Sequence, residues 1–432
     1  FKQKTAYEIS TRDWSSDVCS SDLANSAFAT TVLAGFFPVF FQKFWSTGVD
    51  ATVSTSRLGF ANGLAGVLVA LAAPVLGAMA DRAAGRKRQL LWWTGLGVLG
   101  TAALGFIGQG DWQWAAAAFV IAGIGFNASI IFYDALLLDV AQESEYDTVS
   151  ALGYSLGYLG GGLLFAVNVL MTLKPAWFGL ADAAEAVRVS FVTVAIWWAL
   201  FSVPLARYVR ERPATAAPAS VWAAARESFR ELRSTLAHVL QHREVAWFLL
   251  AYWLYIDAVH TIYTMAVDYG VALGLPTSSL LAALLLTQFV AFPAALALGH
   301  IGNRYGARNG ILLCIVVYFG ATVYAYWLQT VTQFFALAVV IGLVQGGIQS
   351  LSRSFFGRLV PEGKGGEFFG FFNMMGKFAS FLGPMLIGIV ALTTGDSRAS
   401  IVSLVVLFLI GGILLWRVPK RPVSSTNSVS SP

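Results

Sequence analysis

The chain has 432 residues, of which 57% are hydrophobic and only 12% charged, with a mean hydropathy of +0.68 and a formal net charge of +5. This excludes an ordinary water-soluble core, because apolar runs of about 20 residues, the length that crosses a bilayer core, recur along the chain. The two cysteines, Cys19 and Cys314, give no disulfide framework, and the positive balance is accounted for by loop asymmetry, so nucleic acid is not an expected partner.

In chain order, Phe1 to Leu23 (FKQKTAYEISTRDWSSDVCSSDL) is polar, lacks helical periodicity and has neither the apolar stretch nor the cleavage site of a signal peptide. It resembles translated sequencing-adapter read-through, so residues 1–23 are expected to be non-native and to stand outside fold and function. Runs bounded by charge or turn residues then predict twelve transmembrane helices, starting near Ala24, Leu58, Leu90, Trp112, Val149, Ala186, Val245, Thr277, Gly310, Gln333, Phe368 and Ala399. The expected organisation is an N-terminal six-helix bundle over 24–209, a cytosolic linker over 210–244, a C-terminal six-helix bundle over 245–416 and a disordered cytosolic tail over 417–432. Within the linker, Val221, Phe229, Leu232, Leu236 and Val239 recur at helical spacing against Arg226, Arg230 and Arg233. That pattern suits a helix lying in the membrane interface, with a solvated basic linker as the alternative.

Basic residues set the orientation. One alternating set of loops holds Arg82, Arg86, Lys87 and Arg88, then Arg207 to Arg243, Arg304 and Arg308, Arg358 and Lys364, and Arg417, Lys420 and Arg421; the other holds little more than Lys43, Lys174, Arg188 and Arg398. Both termini are therefore predicted cytosolic. The phrase Gly77-Ala-Met-Ala-Asp81-Arg82-Ala-Ala-Gly85-Arg86-Lys87-Arg88 returns as Gly299-His-Ile-Gly-Asn303-Arg304-Tyr-Gly306-Ala307-Arg308, each time straight after a long apolar helix. Asp81 is placed to face the start of the eleventh helix, whose positive end favours an anion by about 0.3–1 kcal/mol. In the second copy Asn303 replaces the acid, which predicts a weaker latch. The repeated loop resembles the signature loop of the major facilitator superfamily. The resemblance implies an all-α membrane protein of two pseudo-symmetric six-helix bundles, with Gly77, Asp81, Arg82, Gly85, Arg86, Gly299, Asn303, Arg304 and Gly306 as the conformational loops.

An ionisable group inside a spanning helix costs at least ~2.5–3.5 kcal/mol on insertion scales, so each is a functional candidate. Asp134 and Asp139 near the cytosolic end of the fourth helix have the same spacing as Arg353 and Arg358 near that of the tenth. These are equivalent helices of the two halves, which predicts a cytosolic gate of Asp134 with Arg353 and Asp139 with Arg358. For the outer pair, plain interfacial residues in water are an equal alternative. In the seventh helix Asp257, His260, Thr261 and Thr264 share a face. Asp257 falls near the midplane, at the depth of Lys377. Proton coupling through Asp257 and His260 and a static Asp257–Lys377 pair are the two readings. Asn25, Gln345, Gln349 and Asn373 are candidates to line a substrate path, although for any one of them interhelical hydrogen bonding is the commoner role. A stripe of small residues, Gly153, Gly157, Gly160, Gly161 and Gly162, suits a closely packed fifth helix. No catalytic constellation, metal-ligand spacing or cofactor fingerprint can be assembled, so an enzyme is not expected and no cofactor is called for.

Three stretches carry a closer likeness. They are Ala24-Asn-Ser-Ala-Phe-Ala-Thr-Thr31; Phe132-Tyr-Asp134 with Tyr146-Asp-Thr-Val-Ser-Ala-Leu-Gly-Tyr154 and Gly157-Tyr-Leu-Gly160; and Gly346-Gly-Ile-Gln-Ser-Leu-Ser-Arg353-Ser with Glu367-Phe-Phe-Gly370 and Gly376-Lys377-Phe-Ala-Ser380. Together they resemble the Atg22-like, or UMF1, branch of the superfamily. Relatives usually have Asp-Trp before the Ala-Asn-Ser, where this chain has Asp22-Leu23. The resemblance implies a secondary carrier for a small solute, amino acids being the suggested class; a bacterial cytoplasmic membrane is the expected location, and a monomer is expected although the sequence does not fix the oligomeric state. Efflux of another metabolite or drug, and a non-transporting scaffold or receptor, are the competing readings.

Overall fold

The computed structural model describes residues 20–48, 86–140, 145–209, 241–360, 365–378, 382–394 and 397–419, together with Leu68, Val69, Ala72 and Leu76. The loop residues Gly77, Asp81, Arg82 and Gly85, most of the linker and nearly all of the tail lie outside them, as do the side chains of Asp139 and Lys377. Helix α1 covers Ser20–Trp45. It thus takes in the last four residues of the segment expected to stand outside the fold. Its turns widen to an i→i+5 pattern over Phe28–Phe36 and Phe41–Trp45. Pro38 lies between these stretches, and its missing N–H and bulky ring prevent regular winding there.

The first half continues with α2 (Arg86–Leu104), α3 (Trp112–Val140), α4 (Tyr146–Leu173) and α5 (Ala183–Tyr208). Asp182 starts α5 by accepting from the Glu185 N–H at 2.7 Å, while Glu185 reaches back to the Ala181 N–H. The second half holds α6 (Arg243–Ala272), α7 (Thr277–Tyr305), α8 (Ala307–Ala325) and α9 (Val331–Leu359). A reciprocal cap between Thr330 and Gln333 opens α9. The predicted eleventh helix is represented by two pieces, α10 (Gly365–Phe378) and α11 (Leu382–Thr394), and the twelfth by α12 (Ser397–Val402) and α13 (Val405–Arg417). No strand occurs among the described residues, and nine of their helices are long and apolar enough to cross a membrane.

Each half has its own aromatic core. In the first, Phe37 stacks on Phe119 with centroids 3.9 Å apart, and Phe28 lies against Phe126 and Trp198. In the second, Phe356 and Phe372 stack at 4.8 Å and Tyr252 covers Phe372 at 4.2 Å. Large apolar side chains also face outward, with Trp92, Leu99 and Trp416 about seven-tenths exposed. Scattered around the bundle, they suit lipid rather than water. The halves meet where α4 packs on α7 and α9. Gly299 permits the close approach, since a Cβ there would strike Ala151 of α4.

Candidate functional site

Arg353, near the C-terminal end of α9, is 3% exposed and carries its charge into the seam between the halves. Removing a guanidinium from water is tolerated only where its donors and its charge are both met. Here they are. Nη1 donates to Asp134 Oδ1 at 3.2 Å and Nη2 to Asp22 Oδ2 at 3.5 Å, while Nε donates to Ser150 Oγ at 2.9 Å and Nη2 to the Ser150 carbonyl at 3.1 Å. The guanidinium lies 4.5 Å from the ring centre of Tyr154 and 5.4 Å from that of Tyr133, within cation–π range. Tyr133 donates to Asp22, and Asn373 Nδ2 donates to Asp134 Oδ2 at 3.0 Å. Gly153 makes the room, because a Cβ there would occupy the place of the Asp22 carboxylate.

Deeper toward the loop end lies a second buried pair. Arg358 donates from Nη1 and Nη2 to the two oxygens of Asp147 at 2.9 and 2.8 Å, and Ser354 donates to the same carboxylate. Asp147 is 1% exposed. The expected Asp139–Arg358 pair involves a side chain outside the described residues; among the described residues Arg358 pairs with Asp147, in the first turn of α4, in the two-oxygen fork geometry a guanidinium prefers. Ser150 Oγ donates across the seam to the Ser350 carbonyl at 2.8 Å, and Asn303, from the second loop copy, donates to Thr148 in the first turn of α4. Among the described residues, all three salt bridges join side chains at this one end of the bundle.

Other predicted residues take different roles. Asp257 is wholly buried and accepts from the backbone N–H groups of Leu382 at 2.8 Å and Gly383 at 3.0 Å, with Thr261 Oγ1 at 3.3 Å. It satisfies the orphan donors that open α11. His260 is half-buried on the same helix, and its carbonyl accepts from Thr264. Gln349 Nε2 donates to Tyr158 Oη at 3.1 Å across the seam. Gln345 borders a small apolar cavity of about 60 Å³ inside the second half, beside Tyr263 and Thr287, and its Oε1 has no partner among the described residues. Asn25 Oδ1 is buried and likewise without one.

The repeated loop has a counterpart in structure. Lys87 and Arg308 each stand two residues after the loop glycine, Gly85 or Gly306. Lys87 Nζ donates to the carbonyl of Val209, just past α5, at 2.9 Å, and Arg308 donates to the carbonyls of Leu415 and Trp416 at the end of α13. Both cations thus meet the negative end of the last helix of their own half. Gly306 turns with φ +89°, a left-handed value that favours glycine. Arg86 opens α2, and Arg304 is exposed beside its neighbour Tyr305.

Asp22 and Asp147 were missed as site residues by sequence reasoning. The signal for Asp22 was its place just before Ala24-Asn-Ser, where relatives have an acid, and for Asp147 its place in the quoted Tyr146-Asp-Thr phrase.

Comparison with known proteins agrees with this architecture. The family model described as "Vacuole effluxer Atg22 like" matches residues 19–424. A relative described as an uncharacterized MFS-type transporter, YxiO of Bacillus subtilis, is 38% identical over 402 residues, covering 93% of each chain. The autophagy-related protein 22-2 of Emericella nidulans is 30% identical over 62% of this chain, which spans 51% of that longer protein. Among solved structures, the proton:xylose symporter XylE aligns with a TM-score of 0.73 at 13% identity, over 96% of this chain and 97% of its own. The human organic anion transporter MFSD10 aligns with 0.72 at 16% identity, over 94% and 99%. Those likenesses give the fold alone. A match to the family model along nearly the whole sequence and the same helical architecture converge: the chain belongs to the Atg22-like family of the major facilitator superfamily.

Proposed function

We propose that this protein is a secondary carrier that moves a small solute by alternating access, with the end that bears Arg353 and Arg358 facing the cytosol. One observation carries the reading. Buried ion pairs tie the two halves together at a single end, through Arg353 with Asp22 and Asp134 and through Arg358 with Asp147. Contacts of this kind hold one state and must separate in the other, as rocking of two halves around a central site requires. The described basic residues Lys87, Arg88, Arg207, Arg304, Arg308 and Arg417 stand at the same end, and the general bias of basic residues toward the cytosol supports both termini lying there. The state described is then outward-facing, in a bacterial cytoplasmic membrane, with the monomer as the working unit.

The finer assignments rest on kinship and on chemistry. The family description speaks of vacuolar efflux, which favours export, and amino acids are the proposed solute class. Asp257 with His260 is the proposed route for a coupling proton. Lys377 remains the rival partner of Asp257. Proteoliposomes loaded with an amino-acid panel, with and without a pH gradient, test both points. Gradient-dependent flux of at least one amino acid that falls in Asp257→Asn supports the reading, whereas flux indifferent to the gradient removes proton coupling. For the gate, Asp134→Arg and Arg353→Asp are each expected to abolish flux and their combination to restore part of it, because the swap keeps two acids and one base in the cluster. A dead double variant with intact folding rejects the gate.

A further inference from the structure

We propose that Asp22, Asp134, Tyr133 and Tyr154 form a binding site for a primary ammonium group, filled by Arg353 in the present state and vacated by it when the halves part. The inference rests on the carrier reading for its second state and on geometry for its site.

The membership of the cluster decides the matter. Asp22 comes from α1, Tyr133 and Asp134 from α3 and Tyr154 from α4, all in the first half, whereas Arg353 and Asn373 come from α9 and α10 in the second. A rigid rotation of one half against the other draws the guanidinium away from both carboxylates in one movement. The four side chains left behind are the shell that now holds a cation: Asp134 Oδ1 at 3.2 Å, Asp22 Oδ2 at 3.5 Å and two ring faces at 4.5 and 5.4 Å. Two neighbouring carboxylates without a counter-charge are disfavoured, so the place that Arg353 leaves favours another cation. Ring faces select an organic cation over a strongly hydrated metal ion.

A compact headgroup fits this shell. An ammonium carries three N–H donors, and Asp22 and Asp134 offer it carboxylate oxygens while the Tyr133 and Tyr154 rings cover it. A solute bearing a primary amine therefore competes with the protein's own arginine for one anionic cage. Binding of the solute favours the state in which Arg353 has withdrawn, and withdrawal of the solute allows the arginine to return.

The test is chemical replacement of the arginine. Purified Arg353→Ala protein, full length in detergent, is titrated with methylammonium chloride and, separately, with potassium chloride, while thermal unfolding is followed. The expected result is a saturable rise of several degrees in the midpoint with methylammonium and little with potassium. The rise should be far smaller in the unaltered chain, where the guanidinium fills the cage, and absent in Asp22→Asn/Asp134→Asn/Arg353→Ala. No rise in Arg353→Ala overturns the proposal, as does an equal rise with potassium or one that survives loss of both acids. Acidification that reproduces the whole rise and leaves nothing for methylammonium also overturns it, since the cage then takes a proton. Should Arg353→Ala fail to purify, Arg353→Gln, which retains a hydrogen-bonding side chain, carries the same titration. The readout is binding, so a methylammonium response in a protein that moves no solute would reject the carrier reading and leave the site standing.

Discussion

Arg353 and Arg358 are both buried at the seam. Arg353 is shared by two carboxylates, a serine and two rings, and the guanidinium of Arg358 forks onto the Asp147 carboxylate. Loss of one member of a buried pair strands the other, which costs about 3–5 kcal/mol. Asp147→Ala is accordingly expected to lower unfolding stability by an amount in that range, and Asp147→Ala/Arg358→Met by clearly less than the sum of the two single changes; thermal unfolding of the four proteins checks it. Gly153 is a second sensitive point, because its missing Cβ is where the Asp22 carboxylate sits. Gly153→Ala should weaken the Asp22–Arg353 contact at an overpacking cost of about 1–3 kcal/mol, with solute flux and thermal midpoint falling together. The Asp134–Arg353 pairing was readable in advance, since opposite charges at equal spacing on equivalent helices leave few other arrangements. Asp147 was not, because it lies past a loop on the next helix, where spacing along one helix says nothing about contact.

At the scale of the element, Asp257 of α6 accepts from the N–H groups of Leu382 and Gly383 in the first turn of α11. The sequence did not reveal this contact, because it is set by packing between helices and not by spacing along one. Replacing a capping acid by alanine costs about 0.5–2 kcal/mol, locally and without loss of the fold. Hydrogen exchange at Leu382 and Gly383 should accelerate roughly tenfold in Asp257→Ala, about 1.4 kcal/mol, and less in Asp257→Asn, whose amide oxygen still accepts. Unchanged exchange in Asp257→Ala would mean that the cap adds nothing.

For the whole molecule, the all-helical membrane fold was legible because a bilayer imposes a fixed length on each apolar run and confines charge to the ends. The state of the carrier was not legible, since closure at one end is a matter of contacts between halves. Those contacts predict a population shift. If the Asp147–Arg358 pair holds this end shut, Asp147→Asn should raise the reactivity of a cysteine placed at Ser350 toward a membrane-impermeant maleimide added from the cytosolic side. Each ~1.4 kcal/mol taken from the closed state corresponds to a tenfold gain in the open population. Cys314 is buried and so contributes little background, and Cys19 is replaced by serine in both proteins. Equal labelling in the two proteins would show that the pair stabilises the fold without biasing the equilibrium.

The matching ties from Lys87 to Val209 and from Arg308 to Leu415 and Trp416 bear on history as well as on shape. The same bond at the same turn of both repeats is most simply inherited from a single ancestral six-helix unit, in which it existed before the copying event. That ancestor would have fastened its third member to its sixth unaided, and two such units side by side would have made a forerunner assembled from separate polypeptides.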